Sequence, residues 1–155
     1  MHNNFIFERA ILIFAVILLT VISCTDAKKH YIIAVSQCSE DSWRQKLKQE
    51  LEMATFFNEG VELRFASAND DSHIQKRQID SLLSSGADLL IVSPNQTDLL
   101  SDEIDKAYEA GIPVILFDRK TDSRKYTAFM GADNCQIGNM LGLFIADKLQ
   151  GKGKI

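Results

Sequence analysis

Two kinds of pattern share the chain: a leading apolar run, then a long alternation of short strand-like and helix-like segments. Residues 10–22 read AILIFAVILLTVI, without a single charge. Beyond Lys28, residues 31–36 form a short β-type run, and Trp43, Leu47, Leu51, Ala54 and Phe57 then recur at helical spacing until Asn58 and Gly60 stop that helix. Residues 61–65 alternate apolar and polar, as a strand exposed on one side does. The polar loop 67–72 brings helix-capping types, Asp70, Asp71 and Ser72, to the start of a second helix. That helix carries Ile74, Ile79, Leu82 and Leu83 and ends at Gly86. Residues 89–92 and 114–117 are apolar without alternation, which predicts strands buried on both faces. Between them Leu100, Ile104, Ala107 and Tyr108 mark a third helix, closed by Gly111. A fifth strand is predicted over 126–130. Ile137, Met140, Leu141, Phe144, Ile145 and Leu149 then form the cleanest apolar stripe of the chain, on a helix over 135–149. On that helix Gly138 and Gly142, one turn apart, read as close-packing positions.

Repeated βα units predict an α/β fold of three layers, a parallel sheet with helices on both faces. The alternating segment 61–65 belongs at an edge and the apolar strands inside, which suits the strand order 2-1-3-4-5.

Composition adds bounds rather than detail. A chain of 155 residues has room for one domain with a real core. It is 46% hydrophobic and 25% charged, with a net charge of −4 and no basic cluster, so nucleic acid is not an expected partner. The apolar run 10–22 has the length of a signal-peptide core and is short for a span, which takes about 20 residues. It ends at Ser23-Cys24 before a polar stretch, an arrangement that resembles the lipobox of bacterial lipoproteins, in which that Cys is lipidated. Three readings of residues 1–27 stay open: a lipoprotein signal acting through Cys24, an uncleaved membrane anchor, and an ordinary cleaved signal. All three put the rest of the chain outside the cytoplasm. Of the other two cysteines, Cys38 and Cys135, two positions do not make a disulfide framework, and their redox state is left open.

Ligands of such sheets bind beyond the carboxyl ends of the strands. Here those ends carry residues 37–41, 69–71, 94–96, 118–120 and 133–134, rich in carboxylates, amides and guanidinium groups that pair with hydroxyls. Glu40, Asp41, Asn95, Asp118, Arg119 and Asp133 are the candidate polar contacts. Trp43 offers an aromatic face for the C–H side of a sugar ring, although its place in the apolar stripe also suits a core position. Asp118-Arg119, directly after a buried strand, is the most pointed of these signals. Rival uses of the fold lack their residues. The first strand's exit has no glycine to cradle phosphate, and the third strand ends in Ser93-Pro94 where a receiver domain needs an acceptor Asp. His2, His30 and His73 are scattered, so no metal cluster, cofactor site or His-assisted nucleophile is expected, and neither is an enzyme.

The segments Ile33-Ala-Val-Ser36, Leu90-Ile-Val-Ser-Pro94, Gly111-Ile-Pro-Val-Ile-Leu-Phe-Asp-Arg119 and Gly131-Ala-Asp-Asn134 resemble the type I periplasmic sugar-binding proteins, the ribose-binding and LacI-like group. The resemblance implies that Asp118 and Arg119 bond sugar hydroxyls, and that Glu40, Asp41, Trp43 and Arg44 supply stacking and further polar contacts. Where transport proteins of the group carry Asn and paired Phe, this chain has Glu40-Asp-Ser-Trp-Arg44, so the sugar is not specified. Ser36-Gln-Cys-Ser-Glu-Asp-Ser-Trp-Arg44, Phe65-Ala-Ser-Ala-Asn-Asp70 and Tyr126-Thr-Ala-Phe129 look like the extracellular sensor domain of hybrid two-component histidine kinases that control carbohydrate use. The resemblance implies a fructose- or ribose-like monosaccharide as ligand, with the solute-binding protein of a sugar ABC transporter as the alternative role. It also implies two lobes around the ligand. Residues 28–133 would then be the first lobe and 134–155 the start of an incomplete second one, after a hinge near 131–134. On that plan the stripe on helix 135–149 has no sheet to cover and invites self-association. The chain by itself is expected to bind sugar weakly.

Overall fold

The computed structural model describes residues 30–154; the expectations placed on residues 1–27, including Cys24, fall outside them. Five strands, β1 (Tyr31–Gln37), β2 (Val61–Ser67), β3 (Leu89–Ser93), β4 (Val114–Phe117) and β5 (Ala128–Met130), form one sheet. Its order is β2-β1-β3-β4-β5 and every pairing is parallel. Four helices connect or follow them: α1 (Ser42–Phe56), α2 (Ser72–Ser84), α3 (Ser101–Glu109) and α4 (Asn134–Leu149). The expected architecture and strand order are therefore those observed.

Local chemistry sets the helix ends. Asp41, Asp71 and Asp133 cap α1, α2 and α4, each accepting first-turn backbone N–H groups on its carboxylate. Helix α3 has no side-chain cap, but Asp102 and Glu103 in its first turn suit the positive end of the helix dipole. Gly86 and Gly111, at φ 86° and 81°, make the left-handed turns that follow α2 and α3.

The parallel register assigns alternate residues to the two sheet faces. Ala34, Leu90, Val92, Val114 and Leu116 share one face and pack with Ile79 and Leu82 of α2 and Leu100, Ile104 and Ala107 beside or on α3. All of these are buried, and they form the hydrophobic core. Under the same helices Glu103 is fully buried, its Oε1 held by Lys76 Nζ at 2.7 Å and Lys106 Nζ at 3.3 Å, which joins α2 to α3 through a paired charge. The opposite face carries Ile33, Val35, Ile91, Ile115 and Phe117 and is covered by α1 at the β2 edge.

One expected stripe, that of α1, differs from what is observed, while that of α4 is as uncovered as expected. On α1, Leu47 and Leu51 are half-buried, but Ala54 and Phe57 are exposed and the one buried residue is Arg44. Arg44 turns inward because Asp41, Ser93 and Asp118 pair its guanidinium, which leaves Trp43 and the C-terminal turn facing outward. On α4 no residue is buried: Met140, Leu141, Leu143 and Phe144 are all more than half exposed. Nothing lies within 4 Å of a Cβ built on Gly138 or Gly142, so their close-packing role is not realised among the described residues. Among those residues no helix is long and apolar enough to cross a membrane.

Candidate functional site

The carboxyl ends of β1, β3 and β4 converge on one edge of the sheet, and a buried amide ties the first two together. Gln75 of α2 donates to Ser36 Oγ (3.2 Å) and to the Ser93 carbonyl (2.9 Å), and its Oε1 accepts the Asn95 N–H (2.9 Å). Asn95 continues the tie with its side chain, donating to the Asp70 carbonyl at 2.8 Å and Ser72 Oγ at 3.0 Å. Asn95 therefore links the loops after β2 and β3, its amide hydrogens spent on the protein.

Two open cavities lie along this edge. One, of about 590 Å³, is lined by Thr97, Asp118, Arg119, Lys120, Phe129 and residues 131–134, Asp133 included. The other, of about 560 Å³, is lined by residues 38–41, Arg44, Asn69, Asp70 and Arg119. Arg119 borders both. Its Nη1 donates to the Asn95 carbonyl at 3.1 Å and its Nε lies 3.8 Å from Asp118 Oδ2, with the side chain half exposed. Glu40 stands exposed at the second cavity, its carboxylate in no ion pair among the described residues. Asp133 reaches the first cavity as the N-cap of α4, with Oδ1 accepting from the Gln136 N–H at 2.9 Å.

Asp118 lies at the centre. Its φ of 68° is left-handed, as are those of Asn69 (49°) and Asp70 (64°), the end of the neighbouring loop. Asn and Asp tolerate that region better than other residues, and its recurrence at strand exits marks where the backbone is bent to aim side chains. The Asp118 N–H bonds the Met130 carbonyl at 2.9 Å, pinning the turn to β5. A Cβ on Gly131 would lie 2.4 Å from the Phe129 ring and 3.0 Å from the Asp118 carbonyl, so glycine permits this close return of the chain. Arg44 Nη2 donates to Asp118 Oδ2 at 3.0 Å and to Ser93 Oγ at 3.2 Å, while Nη1 donates to Asp41 Oδ2. Trp43 stacks on Phe117, the residue before Asp118, at 5.2 Å between centroids and 18° between planes. It remains 51% exposed, so it is not a core side chain. Among the described residues two cysteines are free thiols, Cys38 buried at the second cavity and Cys135 exposed on α4.

Asp41 combines two tasks, and its ionisation reports both. The Arg44 backbone N–H, the Ser39 hydroxyl and the Arg44 guanidinium hold its carboxyl well below the usual carboxylate range. A depressed folded-state pKa gives stability that is fully present above the ordinary value near 4 and lost as pH falls below it. Asp41→Ala is thus expected to lower the melting temperature at pH 7 by a few degrees, with the gap to wild type closing as the pH falls below about 4. Parallel melting curves at pH 7 and pH 3 check this; a gap that stays constant would deny Asp41 the role.

The structure brings together Asp41, Arg44, Asp118 and Arg119 directly, with Trp43, Glu40, Asn95 and Asp133 around them. Sequence reasoning missed Ser93 and Gln75. Ser93 was legible as a small polar residue ending a buried strand, whereas Gln75 carried no local signal, its partners lying 18 to 39 residues away. Among the described residues no group of His, Cys, Asp or Glu is placed to hold a metal ion.

A family model described as a periplasmic binding protein domain matches residues 32–155. The ribose import binding protein of Bacillus subtilis (strain 168) is 33% identical over 94 residues, covering 61% of this chain and 30% of its own length. A xylitol-binding protein of Mycolicibacterium smegmatis is 31% identical over 116 residues, covering 67% and 33% respectively. Among solved structures, the fructose-binding periplasmic domain of a hybrid two-component system superposes with a TM-score of 0.77 at 45% identity, over 80% of this chain and 41% of that one. A Mycobacterium smegmatis protein in complex with β-D-fucofuranose gives 0.69 at 30% identity, over 78% and 41%. The chain thus spans about a third of the length of these curated relatives.

Proposed function

Because the chain belongs to the periplasmic binding protein domain family, whose members bind solutes rather than transform them, we propose that it carries half of a monosaccharide site. In this reading it serves as the extracytoplasmic sensor of a two-component receptor. The observation that carries the binding role is the convergence of Asp118, Arg119 and Trp43 at one sheet edge. A carboxylate accepts from hydroxyls, a guanidinium donates to them and an indole covers a ring face. Glu40 and Asp133 add acceptors on either side, and Asn95, with Asp41 and Arg44, forms the wall that holds them. The likeness to a fructose-binding sensor domain at 45% identity favours the sensor role and a fructose-like ligand. The ribose import protein and other transport-type relatives favour the second reading, a solute-binding protein of a sugar ABC transporter.

On this proposal residues 28–133 are the first lobe and α4 begins the second, whose sheet covers the exposed apolar stripe. Residues 1–27 anchor the protein to the membrane, by a lipid on Cys24 or by the apolar run itself, and self-association through α4 is what the chain shows when that cover is missing. Sugar-dependent autophosphorylation of the protein at its full natural length tests the sensor role; loss of sugar uptake on deleting the gene, without any kinase response, would favour transport. For the site, Arg119→Ala in the full-length protein is expected to weaken sugar binding by about 1.5–3 kcal/mol, the range for a hydrogen bond to a charged group. An unchanged titration would remove Arg119 from the ligand's contacts.

A further inference from the structure

Arg44 is the only buried Lys or Arg among the described residues, with 7% of its surface exposed. It enters from the first turn of α1 and spans three elements: Asp41 at that helix's cap, Ser93 at the end of β3, and Asp118 after β4. Its flank lies over the Trp43 ring, 5.5 Å from the centroid. Both terminal nitrogens are engaged with protein, and Nε is buried without a partner. A guanidinium so enclosed has no free edge to offer an incoming hydroxyl. What it does supply is a fixed positive charge between two carboxylates that would otherwise face each other across the site.

We propose that Arg44 is a positioning and charge-selecting residue rather than a ligand contact. Resting on the sugar-binding reading above, the inference is that Arg44 acts as an internal counter-ion. It orients Asp118 through Oδ2, leaves Oδ1 without a hydrogen bond among the described residues, and adapts the site to neutral polyhydroxylated ligands against amine-bearing ones. The two cavities are lined by five carboxylates and three cations. Removing Arg44 therefore leaves a local surplus of three negative charges and a vacated space beside Asp41 and Asp118 of the size and polarity for an ammonium or guanidinium group. Electrostatic complementarity selects among ligands by such differences.

The test uses the full-length protein with fructose and its amine-bearing counterpart 1-amino-1-deoxyfructose. Arg44→Ala is expected to weaken fructose binding roughly ten- to hundredfold, while the preference for the aminated sugar over fructose rises about tenfold. Millimolar methylguanidinium is expected to restore fructose binding to Arg44→Ala, and Arg44→Lys to keep the wild-type preference for the neutral sugar. Equal losses for both sugars with no effect of methylguanidinium would overturn the proposal, making Arg44 an ordinary contact or a fold support. If the wild type binds neither sugar, the sugar-binding reading fails and charge selection with it. Melting curves then decide the clamp alone: methylguanidinium that stabilises Arg44→Ala but not the wild type retains it, and no difference removes it.

Discussion

Asp118→Ala, made in the protein at its full natural length, is expected to cost monosaccharide affinity about 2–5 kcal/mol, enough to abolish binding in an ordinary titration. Two losses add. The ligand loses a charged acceptor, and Arg44, buried and bonded to Asp118 Oδ2 at 3.0 Å, keeps its charge with one partner fewer. The backbone adds little to this, because alanine at φ 68° is less at ease than Asp but the turn is still pinned by the Met130 carbonyl. Asp118→Asn separates the terms: it retains shape and the left-handed preference while removing charge. Calorimetry of both variants against wild type checks the expectation, and an Asp118→Ala protein that is folded and binds normally would refute it.

The second large effect is on stability. Leu90 is fully buried at the centre of the sheet, between Ala34 of β1 and Val114 of β4, in the cluster closed by α2 and α3. Leu90→Ala removes three carbons from a space that the rigid sheet cannot collapse to fill, so a loss of about 2–5 kcal/mol is expected. Against a total of about 5–15 kcal/mol for a domain, that shifts the unfolding midpoint far. The adjacent Ile91 points to the other face, where it is only half-buried, so Ile91→Ala should cost about half as much. Denaturant unfolding of the two variants tests the asymmetry; equal losses would mean that the two faces are equally well packed.

The sheet was legible because its signals are local and redundant. Apolar runs without alternation placed β3 and β4 inside, the alternating 61–65 placed β2 at the edge, and the parallel order followed from the βα repeat. The helix caps were equally plain, as Asp71 shows by accepting the His73 and Ile74 N–H groups. The stripes of α2 and α3 face the sheet as expected, and what failed was the side of α1 that turns inward. Trp43 and Arg44 are neighbours in sequence, and hydrophobicity alone sends the indole inward. The structure does the reverse, because Arg44 has carboxylates waiting at two strand ends while Trp43 has the Phe117 ring at the surface. Gln75 was hidden for the same reason: a glutamine in the buried line of a helix is costly unless each polar atom is paired, and its partners lie 18 and 39 residues away. The stripe on α4 was read correctly as a stripe, but hydrophobic spacing carries no information about what covers it.

The measurement that bears most directly on the site is a calorimetric titration of the full-length protein with neutral monosaccharides, fructose and ribose first. Saturable binding of at least one of them, lost in Asp118→Ala, is the result predicted. A folded full-length protein that binds none of them, or that binds one equally well without Asp118, would contradict the assignment of this sheet edge as a sugar site.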